Sequence, residues 1–273
     1  TDVADFGAEN TVSVYVSTEH HEGWWYEGGG IYRHVWLIKT AFVSVDLYGV
    51  YVKPEKLSKS LWGIPMEVTL RNDRFESKRV RIECEIQDGA GATVSRVACG
   101  GIVLSKNKKT FHLVTQLETP ELWSPDSPNL YTVITHVFVG KREVDVCDVK
   151  FGFRTVMADP QKGLFINGKH YKIQGLCGHA DCGLMGKAVP DNIHRYKVRL
   201  MREMGANGYR TTHYPQASAL MDALDENGFI VMNEARWFES TEESKKQLET
   251  LVKRDRNRPS VVFWSIGNEE PFH

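Results

Sequence analysis

The chain has no surplus of either charge, no long apolar run and no metal-binding cysteine spacing, and each absence removes a class of function. Its 34 basic and 35 acidic residues leave a formal net charge of −1, so neither nucleic acid nor a membrane surface is expected as a partner. No apolar stretch is long enough to cross a bilayer as a helix. Cys84, Cys99, Cys147, Cys177 and Cys182 are scattered and form no C-x-x-C. That argues against zinc and fits a reducing compartment, which favours the cytoplasm while leaving localisation otherwise open. The opening T-D-V-A-D-F-G-A has no signal-peptide character. No cofactor is called for, and whether a monovalent or divalent metal binds is left open. There is no internal repeat.

What is present falls into two regimes. From the start to about residue 153, polar and apolar residues alternate, as in Thr11–Val16, Val43–Tyr48, Met66–Leu70, Val80–Ile86 and Tyr131–Thr135. Period two predicts half-buried antiparallel strands and hence a β-sandwich. From about residue 171 the pattern changes. Strands are predicted over Tyr171–Leu176, Gly208–Thr212, Phe229–Glu234 and Val261–Ile266, and helices over Asp191–Met204, Ala217–Glu226 and Thr241–Arg256. In the first helix Ile193, Tyr196, Leu200 and Met204 fall near one face, and Gly205 closes it. Strand–helix alternation of this kind implies a parallel sheet.

The stretch Arg254-Asp255-Arg256-Asn257-Arg258-Pro259-Ser260-Val261-Val262-Phe263-Trp264-Ser265-Ile266-Gly267-Asn268-Glu269 carries the most chemistry. A charged helix end is stopped by Pro259, a short buried strand follows, and an amide and a carboxylate stand just past its end. That is where α/β barrels keep their reactive groups. The wording resembles glycoside hydrolase family 2, which contains β-galactosidases, β-glucuronidases and β-mannosidases. Leu122-Trp123-Ser124-Pro125-Asp126-Ser127-Pro128-Asn129-Leu130-Tyr131 and Leu164-Phe165-Ile166-Asn167-Gly168-Lys169 are similar to that family too. The resemblance implies a multidomain β plus α/β chain. Residues 1–42 would be the end of a jelly-roll sugar-binding-like domain, 43–153 an immunoglobulin-like β-sandwich, and 154–273 the first half of a (β/α)8 TIM barrel. The chain then reads as a fragment of a longer one, inactive alone.

The same resemblance implies roles. Glu269 would be the general acid/base of a retaining exo-β-glycosidase, with Asn268 on the sugar 2-hydroxyl and the nucleophile beyond residue 273. Glu270 would sit in the adjoining loop. Arg210 would orient a carboxylate bidentately, His213 would line the sugar subsite, and Glu234 would meet Arg210 or a sugar hydroxyl. His179 and Asp181 are pocket candidates, in a wording where Ala180 replaces a second histidine; Asn233 is another departure, from an Asp-Glu pair. Cys177 and Cys182 read as packing residues. Trp24, Trp25 and Tyr26 could stack on carbohydrate or plug a domain interface, and Trp264 reads as core or pocket wall. The implied partner is a carbohydrate, with β-galactoside the first choice, and a homo-oligomer or a complementary fragment is open. A non-catalytic carbohydrate-binding or β-sandwich interaction module is the competing reading. It has no need of a poised acid.

Overall fold

The computed structural model describes residues 4–5, 7–17, 30–236 and 240–268. The period-two segment folds into eight strands: β1 (Val43–Val52), β2 (Glu55–Lys56), β3 (Leu61–Asn72), β4 (Lys78–Gln87), β5 (Thr93–Val103), β6 (Asn107–Glu118), β7 (Tyr131–Val139) and β8 (Arg142–Phe151). All pair antiparallel. In one sheet β3 pairs with β1, β2 and β6; the other runs β5-β4-β7-β8. Alternate residues of β3, β4 and β7 point inward and share one core, with Ile64, Val68, Leu70, Ile82, Ile86, Val133 and Val137 all fully buried. Phe153, just past β8, meets Tyr131 edge-on at 4.9 Å and Trp62 at 5.7 Å between ring centroids, the geometry aromatic quadrupoles favour.

A small antiparallel sheet of β9 (Val156–Asp159), β10 (Gly163–Ile166) and β11 (Lys169–Tyr171) follows. Asn167 and Gly168 turn between β10 and β11 with φ of 53° and 80°, as a two-residue hairpin turn requires. Then come β12 (Gly175–Gly178), α1 (Asp191–Glu203), β13 (Gly208–Thr211), α2 (Ser218–Glu226), β14 (Ile230–Glu234), α3 (Glu242–Asp255) and β15 (Val261–Ser265). The four strands pair parallel in sequence order, β12-β13-β14-β15. This is the strand–helix start of a barrel.

Three expectations need correction. Thr11–Val16 forms no strand, and no strand occurs among the described residues before Val43. Alternation supplies a face but not a ladder partner, and Val12 and Tyr15 are left exposed. The strand expected over Tyr171–Leu176 is two: Tyr171 ends the hairpin and Gly175 begins the parallel sheet. Helix α1 buries His194, Val198 and Met201, whereas Tyr196 and Met204 are 49% and 76% exposed. The inward face therefore contains a histidine and excludes the longer apolar row. Of the two readings of Trp264, its 39% exposure excludes core and leaves pocket wall.

Polar side chains bolt the sandwich to the parallel sheet. Asn257 behaves as a neighbouring strand for β1: its Oδ1 accepts from Val52 N and its Nδ2 donates to Val50 O, both at 2.8 Å. The fully buried Trp123 donates Nε1–H to Asp225 O at 2.9 Å. Gly228, at φ 68°, lets Pro125 approach so closely that a Cβ there would lie 2.5 Å from its carbonyl oxygen. The arginines expected to form only a charged helix end are partly buried connectors: Arg258 joins Asp222, Asp225 and Asp255, and Arg254 also clasps Asp255. Asn257→Ala should destabilise the protein by about 1–3 kcal/mol, since two backbone groups of β1 lose their partners. Chemical denaturation monitored by fluorescence measures it; a change within error would show that water replaces the amide without cost.

Candidate active site

The C-terminal ends of β13, β14 and β15 converge on one carboxylate. Glu234, the last residue of β14, has a side chain that is 0% exposed. A charge so placed needs partners, because desolvation penalises it heavily otherwise. It has a full set. Arg210 of β13 donates Nε–H and Nη2–H to Oε2 at 2.9 and 2.7 Å. Ser265, the end of β15, donates its hydroxyl to the same oxygen at 2.9 Å. His213 stands with Nδ1 at 2.8 Å from Oε1. A carboxylate only accepts, so Nδ1 carries a hydrogen and donates it to Glu234. Arg210 thus puts two donors on one oxygen, and a histidine occupies the other. This differs from the expected fork across both oxygens.

From this hub the geometry reaches the strand end where the chemistry was expected. Arg210 Nη2 also donates to Asn268 Oδ1 at 2.7 Å. The amide oxygen of Asn268 is thereby committed to the guanidinium, which fixes the direction of its NH2. Ser265 Oγ also lies 3.1 Å from Gly267 O, so its single hydrogen is shared between Glu234 and the turn that carries Asn268. The ring of His179, beyond β12, stands at 88° to that of His213 with centroids 5.2 Å apart. Burial, followed by the nearby His213, lowers the pKa of His179, while Asp181 opposes the shift. Asp181 takes no part in the hydrogen bonds around Glu234 among the described residues. Arg210, His213, Glu234 and Asn268 are therefore brought together, His179 flanks them, and Asp181 is peripheral. Glu269 and Glu270 lie outside the described residues, as do Trp24, Trp25 and Tyr26. No group of three or more metal-ligating side chains occurs among the described residues, and all five cysteines are free thiols.

Two profiles match this chain: glycosyl hydrolases family 2 over residues 44–154, and the TIM barrel domain of glycosyl hydrolases family 2 over residues 158–247 and 239–273. The chain belongs to glycosyl hydrolase family 2. It is 34% identical over 275 residues to the β-galactosidase BoGH2A of Bacteroides ovatus, covering 95% of this chain and 32% of that protein. It is 29% identical to a β-glucuronidase of Bacteroides fragilis, covering 98% of this chain and 42% of that one. A crystal structure of a family 2 member from Bacteroides cellulosilyticus superposes with a TM-score of 0.87 at 32% identity, over 93% of this chain and 36% of its own. The chain thus spans about a third of the length of such relatives.

Ser265 and Thr211 of this candidate site were not singled out in the sequence, and Tyr214 has an architectural part. Ser265 was hidden inside an apolar run; a lone hydroxyl at an inward strand position was its signal. Thr211 Oγ1 accepts from Glu234 N at 2.8 Å and lies 3.3 Å from Asn233 Oδ1. Asn233 itself is buried and donates to Asp255 Oδ2 at 2.7 Å, so the amide at this position joins β14 to the arginine cluster behind it. Tyr214 accepts from Ala180 N at 3.1 Å and ties the loop after β12 to that after β13.

Arg210→Ala should cost about 3 kcal/mol, the low end for breaking a buried pair, because His213 and Ser265 still hold Glu234. Ser265→Ala should cost about 1 kcal/mol, the worth of one ordinary hydrogen bond. Urea unfolding of both variants decides the order; equal losses would mean that Arg210 is not the principal partner. A histidine whose folded pKa is depressed holds fewer protons than the unfolded chain below its ordinary value of about 6.5. His179 and the likewise lowered His194 should therefore make stability fall as pH drops from 7 towards 5. His179→Gln should flatten that slope, read from Tm against pH; an unchanged slope would remove His179 from the account.

Proposed function

We propose that the protein containing this chain is a retaining exo-β-glycosidase of family 2, with a terminal β-galactoside as first-choice substrate. The observation that carries this reading is the Arg210–Asn268 hydrogen bond at the C-terminal edge of the parallel sheet. It anchors the amide that immediately precedes Glu269 to the buried Glu234. In this reading Glu234, fully buried and held by Arg210, Ser265 and His213, does not react itself but positions Arg210, His213 and the Asn268 turn. The proton donor is then Glu269, the neighbouring carboxyl in the chain, acting on the leaving oxygen. Asn268 would direct its NH2 to the sugar 2-hydroxyl, and His213 and His179 would line the ring. The second carboxylate, needed about 5–5.5 Å from the first for retention, is assigned to a part of the protein outside residues 1–273.

We divide the chain accordingly into 1–42, the end of a jelly-roll domain whose other strands would supply the ladder partners that Thr11–Val16 lacks, 43–153, and 154–273. β-Glucuronidase is the second reading, favoured by the Bacteroides fragilis relative. Rates on nitrophenyl β-galactoside, β-glucuronide and β-mannoside decide among sugars. Glu269→Gln in the full-length protein should lower kcat/KM for glycosides with poor leaving groups by about 10²–10⁴-fold. Nitrophenyl glycosides should lose much less in the glycosylation step, because a good leaving group needs little protonation. Equal losses in pre-steady-state kinetics would assign the acid elsewhere, and absence of turnover on every glycoside would return the chain to a binding module.

A further inference from the structure

Among the cavities outside the Glu234 web, one adjoins the candidate active site. It has a volume of about 320 Å³ and forms between the Tyr32–His34 segment, the loop after β12 and the start of α1. That volume is at the lower end for small-molecule pockets. Its wall is shared with the candidate active site: Ala180 lines it, while the adjoining His179 packs on His213.

Its chemistry is unbalanced. His194 lines the cavity, is only 6% exposed, and has no hydrogen-bond partner for its ring among the described residues. Its ring nitrogens are thus left for the contents of the cavity, water or a bound molecule. Arg33 donates Nη2–H to Pro215 O at 2.7 Å and lies 5.3 Å from the Tyr32 ring centroid. It has no carboxylate partner among the described residues, and burial, then Arg254, pushes its pKa below the usual value. Lys187, whose ammonium lies 5.7 Å from the centre of the Tyr214 ring, has no ion pair among them either. Asp191 supplies the opposing charge but is engaged, with His34 Nε2 at 3.0 and 3.1 Å from its two oxygens. The N-terminus of α1 opens here with Pro190 at the cap position and no side-chain cap. Its first amides favour an anion.

We propose that this cavity binds a saccharide unit bearing an acidic group, a carboxylate or a sulfate, with Lys187, Arg33 and the α1 N-terminus facing the charge, His194 on a hydroxyl and Tyr32 against the ring. The saccharide part rests on the glycosidase reading; the anion part rests on the cavity alone. A unit held there lies against Ala180, whose chain neighbour His179 packs on His213 beside the place assigned to the cleaved sugar. The site thus selects substrates that carry an acidic sugar next to the terminal one.

Calorimetry on the full-length protein with glucuronate, galactose 6-sulfate, galactose and inorganic sulfate tests it. At least one acidic sugar should bind tenfold or more tightly than galactose, and the carboxylate and sulfate arms identify which acid is taken. Lys187→Gln and His194→Gln should each weaken that binding about tenfold, with Lys245→Gln, on the exposed face of α3, as a control without effect. Melting curves establish that the variants fold; Lys187 lies in a loop, so its variant remains informative if His194→Gln unfolds. The proposal is overturned if neither acidic sugar exceeds galactose, if inorganic sulfate binds as tightly as the sulfated sugar, or if Lys187→Gln binds as the unmodified protein does. Turnover of nitrophenyl glycosides, measured separately, reports on the glycosidase reading, so either can fail alone.

Discussion

A single buried charge organises the sheet's working end. Glu234 cannot be left in a dry interior without donors, and those donors come from three different segments: Arg210 on β13, His213 on the loop after it, and Ser265 at the end of β15. Satisfying the carboxylate therefore fixes the strand ends relative to one another. A well-packed apolar residue in its place could stabilise the sheet as well. It would not direct an arginine towards Asn268 or hold the ring of His213. The charge is better understood as a specification of geometry than as a source of stability.

A second polar cluster lies behind the first and is built by opposite outcomes of the same competition. Burial raises the pKa of Asp225 and prevails over Arg258 and Ser260 there. At Asp255 burial also acts upward, but Arg254 and Arg258 outweigh it and the pKa falls. Asn233 connects this cluster to β14, next to Glu234. Asn257, between the two arginines that grip Asp255, grips β1 of the sandwich. The two layers are consequently held by the segment that leads into the reactive strand. Displacement of the sandwich would be felt at β15 through at most a few residues.

The change from period two to strand–helix alternation was legible because hydrophobic spacing records which faces are buried. The turns were legible for a local reason: Asn167-Gly168 and Gly205 adopt left-handed backbone conformations that few other residues tolerate. The inward face of α1 was not legible. Tyr196 and Leu200 are more apolar than His194, yet the helix turns His194 inward, because what a helix face meets is set by the elements packed against it. Thr11–Val16 failed as a strand for a related reason, since a ladder needs a second chain segment that no local pattern provides.

For the candidate site, sequence alone determined which residues are chemically capable and that they stand at strand ends, because a carboxylate, a guanidinium and an imidazole keep their chemistry wherever they are placed. Family wording added the roles. Only the tertiary structure decided how those groups are connected. Arg210, Glu234 and the segment from Ser265 to Asn268 are far apart in the chain, and parallel pairing brings them within hydrogen-bond reach. Once there, Glu234 is fully buried and held by donors from three segments. Burial and partner number are properties of the assembled sheet, so no stretch of sequence contains them.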